Sequence, residues 1–331
     1  MKTGKLSIRW CVLLAALPIL AGLLALGIGR VFVAPAEILT ALLGGEVSQL
    51  AWMTVWKLRL PRILLAALAG AGLSCAGCAF QSLFANPLAT PDTLGVASGA
   101  SFGAALGLLL GLPMTGVQLL ALVMGGGAVA LTWLAGAGRE KGMSSIVLAG
   151  IMMGSLFTAL VSLVKFVADE ESQLPAITYW LMGGLNNAAY ETLLLGAPPI
   201  LLGIGVLWLL RWRLNLLPLS EDEARASGVN ITALRALTVV CATAITAACV
   251  SMCGQVGWVG LLVPHMCRMK FGSNHLSLVP ASVCTGAAFL IAVDTAARSI
   301  SAQEIPISIL TAIIGAPFFI LLMRRTGGWK L

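Results

Sequence analysis

Few residues in this sequence could perform metal or covalent chemistry. Cys75 and Cys78 form a C-x-x-C pair, but zinc requires four converging ligands, and the only two histidines, His265 and His275, lie far along the chain. The sequence contains no G-x-x-x-x-G-K-S/T phosphate loop and no evident Ser/His/Asp arrangement. We therefore expect no metal site, no bound cofactor and no enzymatic activity, and we expect the cysteines to pack as small apolar side chains.

The densest polar segment, from Arg211 to Asn230, separates two long apolar runs. Ser220 and Glu223 have the spacing of a capping box, in which each side chain satisfies a backbone N–H at the start of a helix. Acidic residues follow in the first turn, where the helix dipole favours them, and Gly228 is a plausible helix end. The segment is either a solvated loop with a capped turn or a short rigid helix that receives force from a soluble partner.

The composition is that of a membrane protein with many spans. Hydrophobic residues make up 59 % of the chain, charged residues make up 10 %, and the mean hydropathy is +0.98, whereas about 25 % of the residues in a soluble domain are charged. A helix needs about 20 apolar residues to cross a membrane. We therefore predict an all-α polytopic fold with about ten spans, in one membrane domain that covers residues 1–331. The predicted spans lie near 10–29, 63–84, 93–111, 115–137, 144–167, 191–210, 233–252, 256–267, 277–297 and 308–323.

The distribution of lysine and arginine predicts the orientation of these spans. Cytoplasmic loops carry an excess of both residues, and most of them fall on one side if the N-terminus is inside. Both termini and the 211–230 segment should then face the cytoplasm. The net charge of +7 follows from this topology, and no basic patch interleaved with aromatic residues indicates nucleic-acid binding. The apolar run after Lys2, Lys5 and Arg9 is longer than that of a cleaved signal peptide, so we expect an uncleaved first span.

Charged residues near the predicted spans are few. Asp294 and Arg298 lie one helical turn apart near the outer end of the ninth span, which predicts an ion pair. Arg59 and Arg62 flank a Leu-Pro pair at the outer start of the second span. These two arginines either snorkel to lipid headgroups or form an outward basic collar for an acidic protein surface. The row of buried ionisable residues that proton or sodium coupling usually requires is missing.

Segment 86–95 and a series of glycines predict how the second and third spans pack. Pro87 and Pro91 interrupt the helix, and Asp92 or Thr93 can cap the helix that follows. Non-helical backbone at membrane depth is tolerated where protein or water covers it. Glycines that recur every four residues along the third span should let another helix backbone approach closely. These glycines are Gly95, Gly99, Gly103, Gly107 and Gly111.

Several motifs occur in a specific order and spacing from about residue 50 to the C-terminus. They are Trp56 to Arg62, Gln81 to Gly95, Tyr179 to Gly184, Leu214 to Leu217, Ala224 to Asn230, Gly257 to His265, and Glu304 to Phe319. Together they resemble the FecCD/BtuC-type permeases, which are membrane subunits of ABC importers for iron–siderophore complexes, haem and cobalamin. One departure is Asn274, where the family often has an aspartate before His275, and it puts a local cap or salt bridge in doubt.

The resemblance implies the BtuC-like fold of type II ABC importers, in the bacterial cytoplasmic (inner) membrane. It implies a second permease subunit, either a second copy or a paralogue, with the transport pathway at the interface between the two. Two cytoplasmic ATPase subunits and a periplasmic or lipid-anchored substrate-binding protein complete the assembly. An iron chelate, siderophore or haem, is the first candidate for the cargo and a corrinoid is the alternative, whereas an ion-gradient secondary transporter is a remote one.

Site residues carry over from the family by position. Arg59, Arg62 and Arg298 resemble the arginines that contact acidic residues of the binding protein. The segment 211–232 resembles the one that docks in the ATPase, and its coupling residues are Leu219, Ser220, Glu221, Glu223, Ala224, Arg225 and Gly228. The fifth span resembles a pathway and gate helix, joined by the tenth span. Its candidate residues are Ser144, Ser145, Met152, Met153, Phe157, Thr158 and Ser162.

Overall fold

The computed structural model describes residues 6–136, 143–219, 221–301 and 304–325. Within these ranges the chain is helical and contains no strand. The α-helices are α1 Ile8–Gly27, α2 Pro35–Leu42, α3 Gln49–Trp52, α4 Leu60–Leu83, α5 Val96–Leu109, α6 Met114–Gly136, α7 Met143–Val167, α8 Gln173–Leu181, α9 Tyr190–Leu209, α10 Glu221–Ala226, α11 Ile231–Cys253, α12 Val259–Phe271, α13 His275–Ile300 and α14 Ile307–Arg325. A π-helical segment, Met53–Arg59, leads into α4, and Pro91–Leu94 and Arg213–Leu216 are short 3₁₀ helices.

Seven helical stretches of the described chain are long and apolar enough to cross a membrane. Six of them are α1, α6, α7, α9, α11 and α13. The seventh is the continuous stretch Gln49–Leu83, whose last part is α4. The shorter helices α5, α12 and α14 lie where the sequence predicts the remaining spans. The expected all-α polytopic fold is confirmed.

The helix α4 lies at the centre of the bundle, because nearly every residue from Leu65 to Leu83 is buried. Glycines bring its backbone against two neighbours. A Cβ atom on Gly77 would overlap the carbonyl oxygen of Gly260 in α12, and a Cβ atom on Gly70 would overlap that of Gly286 in α13. The three helices therefore pack backbone to backbone, at a distance that leaves no room for a methyl group.

The predicted glycine series in α5 lets α6 approach closely. A Cβ atom on Gly103 would lie 2.5 Å from the carbonyl oxygen of Leu120, and Gly99 and Gly107 face α6 in the same way. The two end members act differently. Gly95 has φ +76° and faces α7, and Gly111 has φ +65° and no atom near the position of its missing Cβ.

Two interruptions between the helices are each held by a local contact. In the first, Asp92 caps α5 as predicted, because its Oδ1 accepts hydrogen bonds from the backbone N of Ala97 at 3.0 Å and of Ser98 at 3.4 Å. The second interruption joins α11 to α12, where Trp258 has φ +68°. Its ring packs on α14, so that a Cβ atom on Gly315 would lie 2.5 Å from Cε3 of Trp258.

Candidate functional sites

Arg62 joins the start of α4 to two acidic residues that are distant in sequence. Its Nε and Nη2 donate to Oδ1 of Asp294 at 2.9 and 2.8 Å, and its Nη1 donates to Oε2 of Glu304 at 2.8 Å. The predicted pair of Asp294 with Arg298 is present but loose, with Nε of Arg298 3.8 Å from Oδ2 of Asp294. Asp294 therefore has Arg62 as its close partner, because the guanidinium fork of Arg62 matches a carboxylate.

Arg59 and Arg298 both turn towards the end of α1. Arg59 donates to the carbonyl oxygens of Leu26 and Val31, and Arg298 donates to that of Ala25. Positive charge is favourable at the C-terminal end of a helix, where carbonyl groups lack partners. Both side chains are buried, Arg59 with only 4 % of its surface exposed, so snorkelling to lipid does not describe them.

The three arginines thus form one cluster, which we call the arginine corner: Arg59, Arg62 and Arg298 with Asp294 and Glu304. It lies beside an open cavity of about 260 Å³ that is also lined by Gly29, Arg30, Leu185 and Asn186. Of the two alternatives that the sequence left open, snorkelling and a basic collar, the collar is closer to this arrangement, in which the three arginines line a recess.

The polar segment at the other end of the bundle contains the predicted short helix. The helix α10 runs from Glu221 to Ala226, and Gly228 with φ +73° follows it as the predicted end. Ala224 is buried, whereas Leu219 is exposed. Ser220, and with it the capping box, lies outside the described residues, as do the side chains of Glu221 and Arg225.

Asn215 ties this segment to the membrane helices. Its Nδ2 donates to Oδ1 of Asn274 at 3.1 Å, and its Oδ1 accepts from the backbone N of His275 at 3.0 Å. Next to it, Ser82 at the end of α4 donates to the carbonyl oxygen of Leu214 at 2.6 Å. The 3₁₀ helix before α10 is therefore fastened to α4 and α13. Sequence reasoning missed Asn215, although a lone amide among leucines was a visible signal.

Asn274 stands where the family often has an aspartate, and it still caps the helix α13. Its Oδ1 accepts from the backbone N of Leu276 at 3.0 Å and caps α13. Asparagine and aspartate are comparable at this position of a helix. The cap is therefore retained without the negative charge.

The helix α7 has one face against the bundle and one face that is open. Phe157 belongs to the packed face: it is buried, and its ring centroid lies 5.8 Å from that of Phe102 in α5. Met153 is partly buried. The other candidates are exposed, namely Ser144, Ser145, Met152, Thr158 and Ser162. Phe157 was expected on the pathway, and this structure places it inside the subunit because α5 supplies a neighbouring aromatic ring.

The hydroxyl groups on the open face of α7 are satisfied within the helix. Thr158 donates to the carbonyl oxygen of Gly154 at 2.8 Å, and Ser162 donates to that of Thr158 at 3.1 Å. From Ser144 to Leu163 the helix carries no charged residue. Over this stretch the open face of α7 is therefore weakly polar and carries no fixed charge.

Comparisons with known proteins agree with this arrangement. The model of the FecCD transport family matches residues 16–325. The molybdate import system permease MolB of Haemophilus influenzae is 40 % identical over 320 residues, which are 94 % of each chain. The Fe(3+)-citrate import system permease YfmE of Bacillus subtilis is 36 % identical over 319 residues, 95 % of this chain and 94 % of that protein.

A solved structure gives the same result for the fold. It is described as a metal-chelate type ABC transporter in an inward-facing conformation, and it matches with a TM-score of 0.88 and 38 % identity, over 96 % of this chain and all of the other. The fold is thus that of an ABC transporter permease. The chain belongs to the FecCD transport family.

Proposed function

We propose that this permease moves an iron chelate, a siderophore complex or haem, into the cell. The open face of α7 is the observation that supports a large, weakly held cargo. A surface with neither fixed charge nor metal ligand lets a large polar complex pass without holding it. Selection of the cargo would then reside in the external binding protein. The relative named for iron citrate supports the same class of cargo.

A molybdate-type oxyanion is the second candidate. The Haemophilus relative, which is named for molybdate, is more similar in sequence than the Bacillus relative named for iron citrate. A corrinoid stays the alternative that the sequence motifs imply.

Uptake into vesicles tests this proposal. The vesicles would contain the permease with its ATPase and would be supplied with its binding protein. We expect accumulation of a radioactive ferric chelate that requires ATP and is not driven by a proton or sodium gradient alone. Accumulation of molybdate without that of any ferric chelate would contradict the iron assignment. Uptake driven by a gradient in the absence of ATP would contradict the class of transporter.

The proposed assembly assigns one task to each end of the bundle. The whole chain forms one permease domain in the bacterial inner membrane, with both termini in the cytoplasm. It pairs with a second copy or a paralogue and supplies no ATPase site of its own.

Two separate ATPase subunits would contact the segment 211–232. A helix tied to the membrane helices through Asn215 transmits force better than a free loop. The binding protein would dock over the arginine corner, and α7 with α14 would line the pathway.

Neutralising the arginine corner should weaken docking of the binding protein. The triple variant Arg59→Gln, Arg62→Gln and Arg298→Gln removes the positive charges that attract acidic side chains, so we expect affinity to fall about tenfold or more. Its dependence on salt should also become flatter. Binding to the permease in nanodiscs, measured over a range of salt concentrations, checks both effects.

The control is Arg211→Gln, which removes a half-buried arginine stacked on Trp208 at the opposite end of the bundle. We expect it to leave docking unchanged. Wild-type affinity in the triple variant, with thermal stability preserved, would rule out docking at this corner.

A further inference from the structure

The two carboxylates on Arg62 differ in their access to solvent. The side chain of Asp294 is 2 % exposed and binds the fork of Arg62 from inside α13. The side chain of Glu304 is 27 % exposed and contacts only Nη1. Glu304 lies in the connection from α13 to α14, shortly before α14 begins at Ile307. Asp294 is therefore the fixed partner of Arg62, and Glu304 is the partner that solvent can reach.

The recess around Glu304 carries an excess of positive charge. Four guanidinium groups line it, those of Arg30, Arg59, Arg62 and Arg298. Only two carboxylates, Asp294 and Glu304, pair with this cluster among the described residues. In addition, Nε of Arg298 is buried and has no hydrogen-bond partner in the described part of the chain. The recess is thus suited to receive a further carboxylate from outside.

We propose that Glu304 occupies the position on Arg62 into which an acidic side chain of the binding protein inserts. Docking then exchanges one carboxylate for another on Nη1 of Arg62. The inference rests on the proposed function, because it requires a binding protein at this face. Glu304 can leave because water solvates its charge, whereas Asp294 is buried, and displacing it would leave an unpaired charge inside the protein.

The exchange would also reach the helix that follows. Glu304 is the contact that joins the α13–α14 connection to α4 through Arg62. The next contacts of this connection are the backbone N of Ile305 to the carbonyl oxygen of Ala297 at 3.3 Å and that of Ile307 to Gly183 at 3.1 Å. Once Glu304 is displaced, the segment that leads into α14 loses this salt bridge to α4. It keeps its backbone hydrogen bonds to Ala297 in α13 and to Gly183 after α8. Docking outside the membrane is thereby linked to a proposed gate helix.

Glu304→Gln tests the exchange directly. The substitution removes the competing charge and keeps the length of the side chain and an oxygen that can accept from Arg62. We expect the binding protein to bind the nanodisc-embedded permease about three- to tenfold more tightly. In an Arg62→Gln background the same substitution should have no effect. Glu304→Ala, which also removes the charge, is measured alongside in case the glutamine variant does not fold.

Asp294→Asn is the matched variant, because it removes the same charge from the same arginine at the buried position. We expect it to lower thermal stability and not to tighten binding. The exchange is wrong if the Glu304 variants bind the binding protein no more tightly than the wild type does. In that case a loss of binding in the triple arginine variant, with thermal stability preserved, still supports docking at the arginine corner. If the triple variant binds normally as well, both the docking role and the exchange are wrong.

Discussion

Asn215→Ala is expected to lower coupled transport about tenfold or more while the permease still inserts into the membrane. The asparagine side chain donates to Oδ1 of Asn274 and to the carbonyl oxygen of Trp212, both at 3.1 Å, and accepts from the backbone N of His275 at 3.0 Å. Each buried polar group left without a partner costs about 1–3 kcal/mol. The 3₁₀ helix that precedes α10 would lose its tie to α13. Movement of the ATPase would then reach the membrane helices only through the remaining bond of Ser82 to Leu214.

The measurement is the amount of cargo transported for each ATP hydrolysed in vesicles. We expect transport to fall about tenfold or more with ATP hydrolysis continuing, since a loss of about 1.4 kcal/mol in the free energy that couples the two corresponds to a factor of ten. Asn230→Ala is the control, because Asn230 lies in the same segment and caps α11 by accepting from the backbone N of Ala233 at 3.0 Å. Losing that cap costs about 1 kcal/mol and leaves the ties of Asn215 intact, so transport should fall much less. Normal coupling in Asn215→Ala would show that this contact transmits nothing.

Gly77→Val should prevent stable assembly of the helix bundle. The added Cβ atom would overlap the carbonyl oxygen of Gly260 and lie 2.7 Å from its carbonyl carbon. Extra atoms in a packed core cost about 1–3 kcal/mol, and sometimes more. Here the obstacle is helix backbone, which cannot change rotamer, so we expect the upper end of that range or beyond. A drop of about 5–10 °C in the thermal midpoint of the purified permease, or failure to accumulate in the membrane, would follow.

Gly127→Val is the matched control for this effect. Gly127 also lies inside a membrane helix, α6, but a Cβ atom on it would meet no atom within 4 Å. The helix propensity lost or gained on replacing glycine by valine is the same in both variants, and only the contact differs. If both variants melted at the wild-type temperature, the close approach of α4 and α12 would not contribute to stability.

Local features of this protein could be predicted because they depend on neighbouring residues. The spans follow from apolar runs, since a backbone in lipid must satisfy its own hydrogen bonds within each helix. The cap on α5 by Asp92 was predictable because a capping side chain reaches only a few residues along the chain. The end of α10 at Ala226, shortly before Gly228, follows from the preference of glycine for positive φ. The glycines of α5 indicated a close helix contact, although not that α6 makes most of it.

Contacts between distant segments could not be predicted in the same way. Arg62 bonds to carboxylates that lie 232 and 242 residues further along the chain, and no spacing in the sequence encodes those pairs. Helical spacing did predict the pair of Asp294 with Arg298, whose charged atoms lie 3.8 Å apart. The closer partner of Asp294 is Arg62, at 2.8 Å. The side chain of Phe157 was expected on the pathway from the family resemblance, and the sequence did not indicate that it would be buried against Phe102 in α5.

The sequence by itself therefore determined the class of protein, its apolar helices and the family motifs. These features depend on local hydrophobicity, on capping and on the order of residues. Only the tertiary structure decided that Arg59, Arg62 and Arg298 line a recess shared with Glu304, and that Asn215 fastens the 3₁₀ helix before α10 to α13. Both arrangements depend on which helix faces meet. That choice is made by the packing of all the helices together, because a buried charge or amide takes as its partner whatever group the bundle brings within hydrogen-bond distance.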